Sequence, residues 1–394
     1  MKFGNLYAIP SRNGLTKPRS VRGDGIKFVN MGELFENERI GNIEMDRVPV
    51  SKTEMRDALL QEDDLLFARQ SLVREGAGKC SIIAEVEEPT TFDSHLIRVR
   101  LNRSIANPSF YRYYFASPLS PMPGIVSQCA QAGIKGSDLK NLDVDCPPLE
   151  VQDKIASILG TYDELIENNR RQIKLLEEAT QRLYKEWFID LKFPDHEVTP
   201  VHDGLPDGWR MGCLGECCAL IKTISKQDER TGNELYIGLE HMPKDSICLR
   251  AHGVSADVVG NKTEFRKGDV LFGKIRPYFH KVGFAQFDGV TSTDAIVMRA
   301  VEGKQAFLLA VASSDEFVSY ATATSKTGTK MPRADWAAMK SYQIPIPSAD
   351  VASRFENICG SFLSAIAQCS SLIVAACEAR DRLLPKLMSG EIEV

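Results

Sequence analysis

The sequence contains no apolar run close to the roughly 20 residues that a membrane-spanning helix requires. Behind its first residues, Met1 to Asn5, no apolar segment follows a basic start, so we expect no secretory signal. The chain has 394 residues, of which 43% are hydrophobic and 26% charged. That balance is typical of globular proteins, and the length favours two domains over one. These features predict a cytoplasmic protein that does not associate with a membrane.

The ten cysteines lack the regular spacing of a disulfide framework or a zinc site. Cys213, Cys217 and Cys218 form the one local cluster. This cluster has no paired CxxC spacing, and no pair of histidines at the spacing of zinc ligands follows it. We therefore expect reduced thiols and no metal, with a structural zinc at this cluster as the lesser alternative.

Catalytic motifs are also missing. Asn107-Pro108-Ser109-Phe110 resembles the catalytic motif of DNA adenine methyltransferases but lacks its second proline. The segment 76–80 resembles a phosphate-binding loop, but it lacks the first glycine, and Cys80 stands where Ser or Thr would bind magnesium. We found no zinc-protease, nucleophile-elbow or nuclease motif. The sequence therefore predicts a binding protein with no catalytic residues, and a degenerate methyltransferase-fused enzyme is the enzymatic alternative.

The net charge of −5 excludes a protein coated in basic residues. It does not exclude DNA binding, because contacts with phosphates need local positive charge and not a positive total.

The second half of the chain repeats the first. Shifting the sequence by 200 residues superimposes the segment from Pro147 on the segment from Pro347 without a gap. A looser repeat lies upstream, where 62–69 resembles 267–274 and 95–100 resembles 294–299. Each half is therefore a variable globular part followed by a closely matched helical part.

The two helical parts have apolar residues at alternating spacings of four and three, which is the pattern of a coiled coil. The residues at these positions include Ile155, Leu159, Tyr162, Ile166, Asn169, Ile173, Leu176, Thr180, Leu183 and Trp187 in the first copy, and Phe355, Cys359, Phe362, Ile366, Cys369, Ile373, Ala376, Arg380, Leu383 and Leu387 in the second. Because the first helix leads away from the first globular part and the second helix returns, we predict an antiparallel pair with pseudo-twofold symmetry. The alternative is that each helix packs only on its own globular part.

The globular parts mix strand and helix signals, so the predicted fold class is α+β. Segments 80–86 and 295–298 predict strands, and 108–116 and 305–313 predict short helices. The aromatic run 110–115 could stack on bases, but a helix that packs on a sheet is the favoured interpretation. The predicted domains are 1–148 and 194–346, with the long helices at 149–193 and 347–394.

Basic residues recur at equivalent places in the two globular parts. Arginine and lysine can bind phosphates or guanine edges, and glutamine can bind adenine. The alternative is an ordinary solvated charged surface. The candidate DNA-binding residues are Arg69, Gln70, Arg74, Lys79 and Lys135 in the first half, and Lys274, Arg276, Tyr278, Lys281, Lys326, Lys330 and Arg333 in the second.

Four segments resemble the specificity subunits of type I restriction–modification enzymes across nearly the whole chain. Segments 147–156 (PPLEVQDKIA) and 183–194 (LYKEWFIDLKFP) resemble the start and end of the family's central helix. Segment 204–209 (GLPDGW) resembles the start of a second target-recognition domain, and 384–392 (LPKLMSGEI) resembles the family's C-terminal end. The second helix departs from the pattern because it has no counterpart of Gln152, and we expect a partner-facing surface to differ there.

The resemblance implies two target-recognition domains, each binding one half of a bipartite, asymmetric site on double-stranded DNA. It implies methyltransferase subunits, two in number, held by the long helices, and restriction subunits in the same complex. The cofactors S-adenosylmethionine, ATP and magnesium would belong to those partners, and none would be bound by this chain. The alternative within the class of binding proteins is a coiled-coil scaffold that does not bind DNA.

Overall fold

The computed structural model describes residues 1–128, 131–244, 246–325 and 331–394. Its internal contacts divide the chain into two compact units. Unit 1 comprises Met1–Leu165 and Ala376–Val394, and unit 2 comprises Ile166–Ala375. Both units combine sheets with helices, which confirms the predicted α+β class.

Unit 1 is built on a five-stranded sheet in the order β1-β9-β5-β7-β3, beside a three-stranded sheet in the order β4-β2-β8. A third small sheet has the order β10-β11-β6. The strands are β1 (Tyr7–Asn13), β2 (Ile26–Val29), β3 (Arg39–Ile40), β4 (Arg47–Val48), β5 (Leu65–Ala68), β6 (Gln70–Ser71), β7 (Cys80–Ile83), β8 (Thr90–Phe92), β9 (Leu96–Leu101), β10 (Ser127–Gln128) and β11 (Ala132–Gly133). The helices that begin in this unit are α1 (Met31–Glu36), α2 (Lys52–Ala58), α3 (Pro108–Ala116), α4 (Gly136–Lys140) and the long α5 (Leu149–Tyr184).

The aromatic run of α3 is buried in the main core of unit 1. Phe110, Tyr111, Tyr113 and Tyr114 pack with residues of β5, β7 and β9, including Phe67. The helix begins at Asn107, whose side chain accepts a hydrogen bond from the amide of Phe110, and proline occupies its first position. This confirms the prediction of a helix that packs on a sheet, and buried rings are not available to stack on bases.

Unit 2 contains a four-stranded sheet in the order β15-β23-β20-β21 and a five-stranded sheet in the order β16-β19-β22-β17-β18. Two further strand pairs, β12-β13 and β14-β24, complete the described sheets. The strands are β12 (Val201–His202), β13 (Leu205–Pro206), β14 (Arg210–Cys213), β15 (Cys218–Ile221), β16 (Ile224–Ser225), β17 (Leu235–Ile237), β18 (Gly253–Val254), β19 (Lys262–Phe265), β20 (Val270–Gly273), β21 (Val282–Phe284), β22 (Gly289–Thr291), β23 (Ala295–Ala300) and β24 (Gln343–Ile346). The helices are α6 (Gln305–Ala312), α7 (Asp315–Ala323), α8 (Trp336–Lys340) and the long α9 (Ala349–Ser389).

The two units share one topology. The order β1-β9-β5-β7 in unit 1 matches β15-β23-β20-β21 in unit 2. In the second sheets, the parallel pair β2 and β8 matches the parallel pair β17 and β22, and each is flanked by an antiparallel partner, β4 or β18. The weak upstream sequence repeat is therefore a repeat of fold.

An ion pair at the same place in both sheets explains why aspartate and arginine recur in that repeat. The buried carboxylate of Asp64 binds the guanidinium of Arg100, with 2.6 Å from Nε to Oδ1. Asp269 binds Arg299 in the same way, over 2.7 Å. Both carboxylates are saturated with strong donors, because each also accepts a backbone N–H three residues upstream.

The long helices contact each other in antiparallel orientation within each unit. In unit 1, Asp163 of α5 binds Arg380 near the end of α9. In unit 2, Gln172 of α5 binds Cys369 of α9, and Trp187, just beyond α5, packs on Phe355 near the start of α9. The antiparallel pairing is confirmed, and the alternative of helices that pack only on their own globular parts is wrong.

The predicted seam of the helix pair is largely buried but shifts by one residue at three places. Asp163 is buried while the predicted Tyr162 is half-buried, Leu363 is buried while Phe362 is half-buried, and Tyr184 is buried while Leu183 is half-buried. An α-helix has 3.6 residues per turn, so a strict seven-residue repeat drifts about 20° per heptad and moves the buried stripe to a neighbouring residue.

Helix α9 corrects the expectation that no segment is apolar enough to span a membrane. By length and composition alone it qualifies, with a mean hydropathy of 1.7 over its most apolar 18 residues. Its apolar side chains, however, include Phe355, Cys359, Ile366 and Ile373, which are buried at helical spacing within unit 2. Packing against protein therefore accounts for part of this apolar composition, while Leu372 and Val374 remain about half exposed.

Candidate nucleic-acid interface

In unit 1, two distant segments with candidate DNA-binding residues lie side by side. Gln70 of β6 pairs with Gly133 of β11, and the amide of Ile134 donates to the carbonyl of Arg69 over 3.0 Å. This pairing joins the segment after β5 to the segment before α4. It therefore places Arg69, Gln70 and Lys135 at one end of the main sheet.

Unit 2 contains the same arrangement with different side chains. Ile275 forms an antiparallel bridge with Arg333, and the amide of Ala334 donates to the carbonyl of Lys274 over 2.9 Å. The amide of Lys274 donates to Asp294, just as that of Arg69 donates to His95, over 2.8 Å in each case. Lys274 and Arg69 are thus equivalent by their backbone hydrogen bonds.

The candidate side chains of unit 1 differ in exposure. Lys135 and Arg74 are exposed, and the guanidinium of Arg74 donates to the carbonyl of Pro123 over 3.3 Å. Arg69 and Gln70 are half-buried, and Arg69 makes a long hydrogen bond of 3.4 Å to the carbonyl of Ser94. Weak backbone contacts of this kind orient a side chain and leave most of its donors available for a ligand.

In unit 2 the candidate residues surround a largely half-buried turn after β20, in which Tyr278 is exposed. Arg276 has a left-handed backbone (φ 51°) and its guanidinium lies 5.7 Å above the ring of Phe279. Tyr278, 51% exposed, packs edge-on against the same ring. Arg333 is exposed and pairs with Asp294 over 3.4 Å, and Lys274 is half-buried. Lys326 and Lys330 lie outside the described residues.

Lys79 and Lys281 have a structural role that the sequence did not indicate. The ammonium of Lys79 donates to the carbonyl of Phe35 over 2.7 Å, and the ammonium of Lys281 donates to the carbonyl of Leu239. Each lysine immediately precedes an equivalent strand, β7 or β21. Because both ammonium groups already bind a carbonyl in the same way, these two residues are weaker candidates for contacts with DNA than their neighbours.

Unit 1 contains a pair of arginines that the sequence did not single out. Arg12 of β1 and Arg98 of β9 are direct partners across the strand pair, so their side chains lie on the same face. Arg98 is only 4% exposed. The one signal in the sequence is that β9 contains a second arginine, Arg98, besides the ion-paired Arg100, and that the counterpart of Arg98 in unit 2 is Val297.

The local cysteine cluster lies in the core of unit 2. Cys217 and Cys218 are buried, and burial raises the pKa of the Cys218 thiol to about 12. The thiol of Cys218 donates to the carbonyl of Leu214 over 3.5 Å. Within the described ranges there is no group of three histidine, cysteine or acidic residues placed to hold a metal.

Gln152 corrects the expectation of a partner-facing surface. The side chain is fully buried in unit 1, accepts the amide of Asn107, and donates to the carbonyls of Ile105 and Pro147. In unit 2, Glu356 performs the equivalent task from one turn further along its helix by accepting the first amides of α6. The difference between the helices is therefore a difference in how each is joined to its own core.

Comparison with known proteins gives a family match over residues 23–178, to the type I restriction modification DNA specificity domain. The chain is 26% identical to the type I restriction enzyme MjaIX specificity subunit of Methanocaldococcus jannaschii, over 96% of this chain and 89% of that protein. It is 28% identical to the EcoKI specificity subunit of Escherichia coli, over 36% of this chain and 32% of the relative.

The fold is similar to the crystal structure of a type I restriction–modification S subunit from M. genitalium. The TM-score is 0.59 at 13% identity, and the match covers 98% of this chain and 95% of the other. This structural match shows a common fold. The sequence matches add similarity to specificity subunits. The repeated units, the paired long helices and these matches show that the chain is similar to type I restriction–modification specificity subunits over nearly its whole length.

Proposed function

We propose that this chain binds double-stranded DNA sequence-specifically, and that units 1 and 2 each bind one half of a bipartite, asymmetric site. The observation that carries the proposal is the equivalence of Arg69 and Lys274. Their backbone hydrogen bonds are the same, yet their side chains and those of the following residues differ. One framework that presents two sets of side chains suits a protein that must bind two different sequences.

The side chains at these places have the chemistry that base recognition requires. Arginines such as Arg69 and Arg276 can bind guanine through two hydrogen bonds or bind a phosphate, and Gln70 can bind adenine. The exposed Lys135 and Arg74 supply charge for phosphates. Local positive charge of this kind is compatible with the net charge of −5, because the phosphate contacts are short-ranged at physiological salt.

In this proposal, other subunits carry out methyl transfer and DNA cleavage. Methyltransferase subunits would bind the long helices and use S-adenosylmethionine, and restriction subunits would use ATP and magnesium. We propose two methyltransferase subunits because the helices present matching exposed residues. Ile158 is 37% exposed in unit 1, and its counterpart Ile358 is 38% exposed in unit 2. The complex would act on DNA in the cytoplasm.

The test is to express the chain with its cognate methyltransferase subunits and to map methylated adenines by methylation-sensitive sequencing. The expected result is methylation at one bipartite sequence, lost when the chain is omitted. The purified chain alone should transfer no methyl group and cut no DNA. Donor-dependent methylation by the isolated chain would contradict the division of labour, and a complex without sequence preference would contradict the role in recognition.

A further inference from the structure

Arg98 is a buried cation without a hydrogen-bonding partner at its Nε. It lies in the middle of β9, is 4% exposed, and its Nε has no hydrogen-bond partner among the described residues. Burial lowers the pKa of its guanidinium, and the charges of Arg100 and Arg12 lower it further, although Asp64 raises it. A buried charge without compensation is costly, so a fold that retains one needs a reason for it.

Asp64 compensates the charge of Arg98 only in part. Both oxygens of Asp64 are bound by Arg100, over 2.6 and 2.7 Å, and one also accepts the amide of Gln61. On the other side, Arg12 is the direct cross-strand partner of Arg98. Like charges at such positions repel. Arg98 and Arg100 therefore share Asp64, while Arg12 acts on Asp57, which Arg56 already pairs, so a surplus of positive charge remains that an anion can balance.

Unit 2 shows that the fold does not need these arginines. The equivalent cross-strand pair is Ile221 with Val297, both aliphatic. The neighbouring ion pair is conserved in both units, as Asp64 with Arg100 and Asp269 with Arg299. Arginines that replace aliphatic residues at one site only, at a cost in stability, indicate a function that is particular to unit 1.

The site lies close to the candidate nucleic-acid interface of the same unit. Arg98 is two residues along β9 from Leu96, or about 7 Å. Leu96 pairs with Ala68, which immediately precedes Arg69. Arg12 is half-buried near the end of edge strand β1, where a ligand from solvent can reach it. A guanidinium pair favours a tetrahedral oxyanion, because each group can donate two parallel hydrogen bonds.

We propose that Arg12 and Arg98 bind a backbone phosphate of the DNA held by unit 1. This inference rests on the proposed function and adds a contact that contributes affinity without sequence information. Arg12 makes the outer contact, and Arg98 adds a second charge from behind it. The equivalent residues of unit 2, Ile221 and Val297, cannot bind a phosphate, so only unit 1 makes this contact with the DNA backbone.

The test uses the complex with methyltransferase subunits and measures DNA affinity across a range of salt concentrations. Arg12→Ile and Arg98→Val copy the aliphatic pair of unit 2. Each should weaken binding about tenfold for all sequences alike. Removing one phosphate contact should also make the slope of log affinity against log salt shallower by about 0.9. The methylated sequence should stay the same. Arg103→Ala, beyond the opposite end of β9 and paired with Asp63, is the matched control and should change neither value.

Thermal stability is a second measurement, and we expect Arg98→Val to leave it unchanged or raise it while DNA affinity falls. Arg98→Val removes a buried charge that is only partly compensated, so the free chain should melt at the same or a higher temperature while it binds DNA more weakly. Should Arg98→Val fail to fold, Arg12→Ile on the edge strand carries the test alone. Unchanged affinity and salt slope in a complex whose wild type binds DNA would overturn the phosphate contact and leave the proposed function intact. A wild-type complex that binds no DNA would overturn both.

Inorganic phosphate distinguishes a free anion from DNA. The melting temperature is compared in phosphate and in chloride at equal ionic strength. Stabilisation of the wild type by phosphate, absent in Arg98→Val, supports an oxyanion site when DNA affinity also falls in the variant. The same stabilisation with unchanged DNA affinity would assign the site to a free anion and overturn the DNA contact.

Discussion

Arg380 donates a hydrogen bond over 2.7 Å to Asp163, and this contact joins the two long helices within unit 1. The other oxygen of Asp163 accepts from Arg112 over 2.8 Å and from the hydroxyl of Tyr113 over 2.6 Å. Burial lowers the pKa of Arg380, but the hydrogen bond to Asp163 and the nearby Glu38 and Asp163 charges outweigh this effect, so that it is raised overall. The counterparts of Asp163 and Arg380 in unit 2 are Leu363 and Thr180, both buried.

Arg380→Ala should destabilise unit 1 by about 3 kcal/mol, because Asp163 would lose a partner while remaining buried. Denaturant unfolding measures the loss. Arg382→Ala is the matched control on the same helix, since its side chain is 82% exposed and its pair with Glu378 spans 3.9 Å. The control should change stability by about 0.5 kcal/mol or less. Equal losses in the two variants would mean that the buried contact contributes nothing particular.

Copying unit 2 into unit 1 should restore stability. The combined change introduces three residues of unit 2. Asp163→Leu copies Leu363, Arg380→Thr copies Thr180, and Arg112→Leu copies Leu309, which has in α6 the position that Arg112 has in α3. An apolar cluster can replace a buried ionic one without loss when its volume is suitable. We expect this triple variant to recover more than half of the loss seen in Arg380→Ala, measured by the same unfolding experiment. A triple variant less stable than the single one would show that the ionic cluster is required for the packing of unit 1.

Gln152→Ala should destabilise unit 1 by about 2 kcal/mol, because it leaves buried backbone groups without partners. These include the amide of Asn107 and the carbonyl of Ile105. Thermal melting measures the effect. Well below the melting temperature, assembly with methyltransferase subunits should be unchanged, since the side chain is fully buried. An assembly defect in a stably folded variant would restore the interpretation of Gln152 as a partner contact.

The stability of unit 2 should depend on the ionisation of Glu356. Burial raises the pKa of this carboxyl, although the amides of Phe307 and Ala306 lower it again. A raised pKa in the folded state means that the native protein binds the proton more tightly. The contribution of Glu356 to stability is therefore greatest at low pH and declines as the pH rises through the folded pKa.

Glu356→Gln removes this titration. The difference in free energy of unfolding between variant and wild type should move in favour of the variant as the pH rises from below the ordinary glutamate pKa of about 4.3 towards neutrality. Denaturant unfolding at three pH values measures it. Glu378→Gln, at an exposed position on the same helix, is the control and should show a smaller change. If the difference in free energy of unfolding moved in favour of the wild type as the pH rises, the raised pKa of Glu356 would be contradicted.

Arg276→Ala should weaken binding to the methylated sequence by about 1–3 kcal/mol if the guanidinium contacts a base edge. The loss should be confined to one base pair in the half-site of unit 2, and preference at that position should relax. Competition binding with single-base variants of the site measures this. Arg266→Ala is the control, because Arg266 precedes β20 and Arg276 follows it. A uniform loss for all sequences would assign Arg276 to a phosphate instead.

Much of the architecture could be predicted from the sequence. The a/d spacing from Ile155 to Leu183 predicted a long helix, and the offset of 200 residues predicted its partner, because a seam of apolar residues needs a second seam to cover it. The run 110–115 predicted a buried helix for the same reason. Local periodicity is a property of the chain itself, so one sequence suffices to detect it.

The sequence repeat predicted which backbone positions of the candidate site are equivalent, and the contact of these residues with DNA stays a prediction. Arg69 and Lys274 were placed correctly at the ends of equivalent strands, because the repeat aligned them. Lys79 and Lys281 had the same pattern, yet each binds a backbone carbonyl contributed by a segment some 40 residues away in sequence. No local signal shows that a lysine has such a distant partner.

The sequence by itself determined the repeat, the α+β class, the long helices and the places where basic residues recur, since each follows from composition and spacing along the chain. Only the tertiary structure decided which polar groups compensate one another. Arg380 occupies a seam position that suits an apolar residue, and it is tolerated because folding brings Asp163 to it from 217 residues away. Arg98 lies between the apolar Ile97 and Val99, and among the described residues its Nε has no hydrogen-bond partner, while Arg100 binds both oxygens of Asp64. The energy of a buried charge depends on what surrounds it, and those surroundings exist only once the chain has folded.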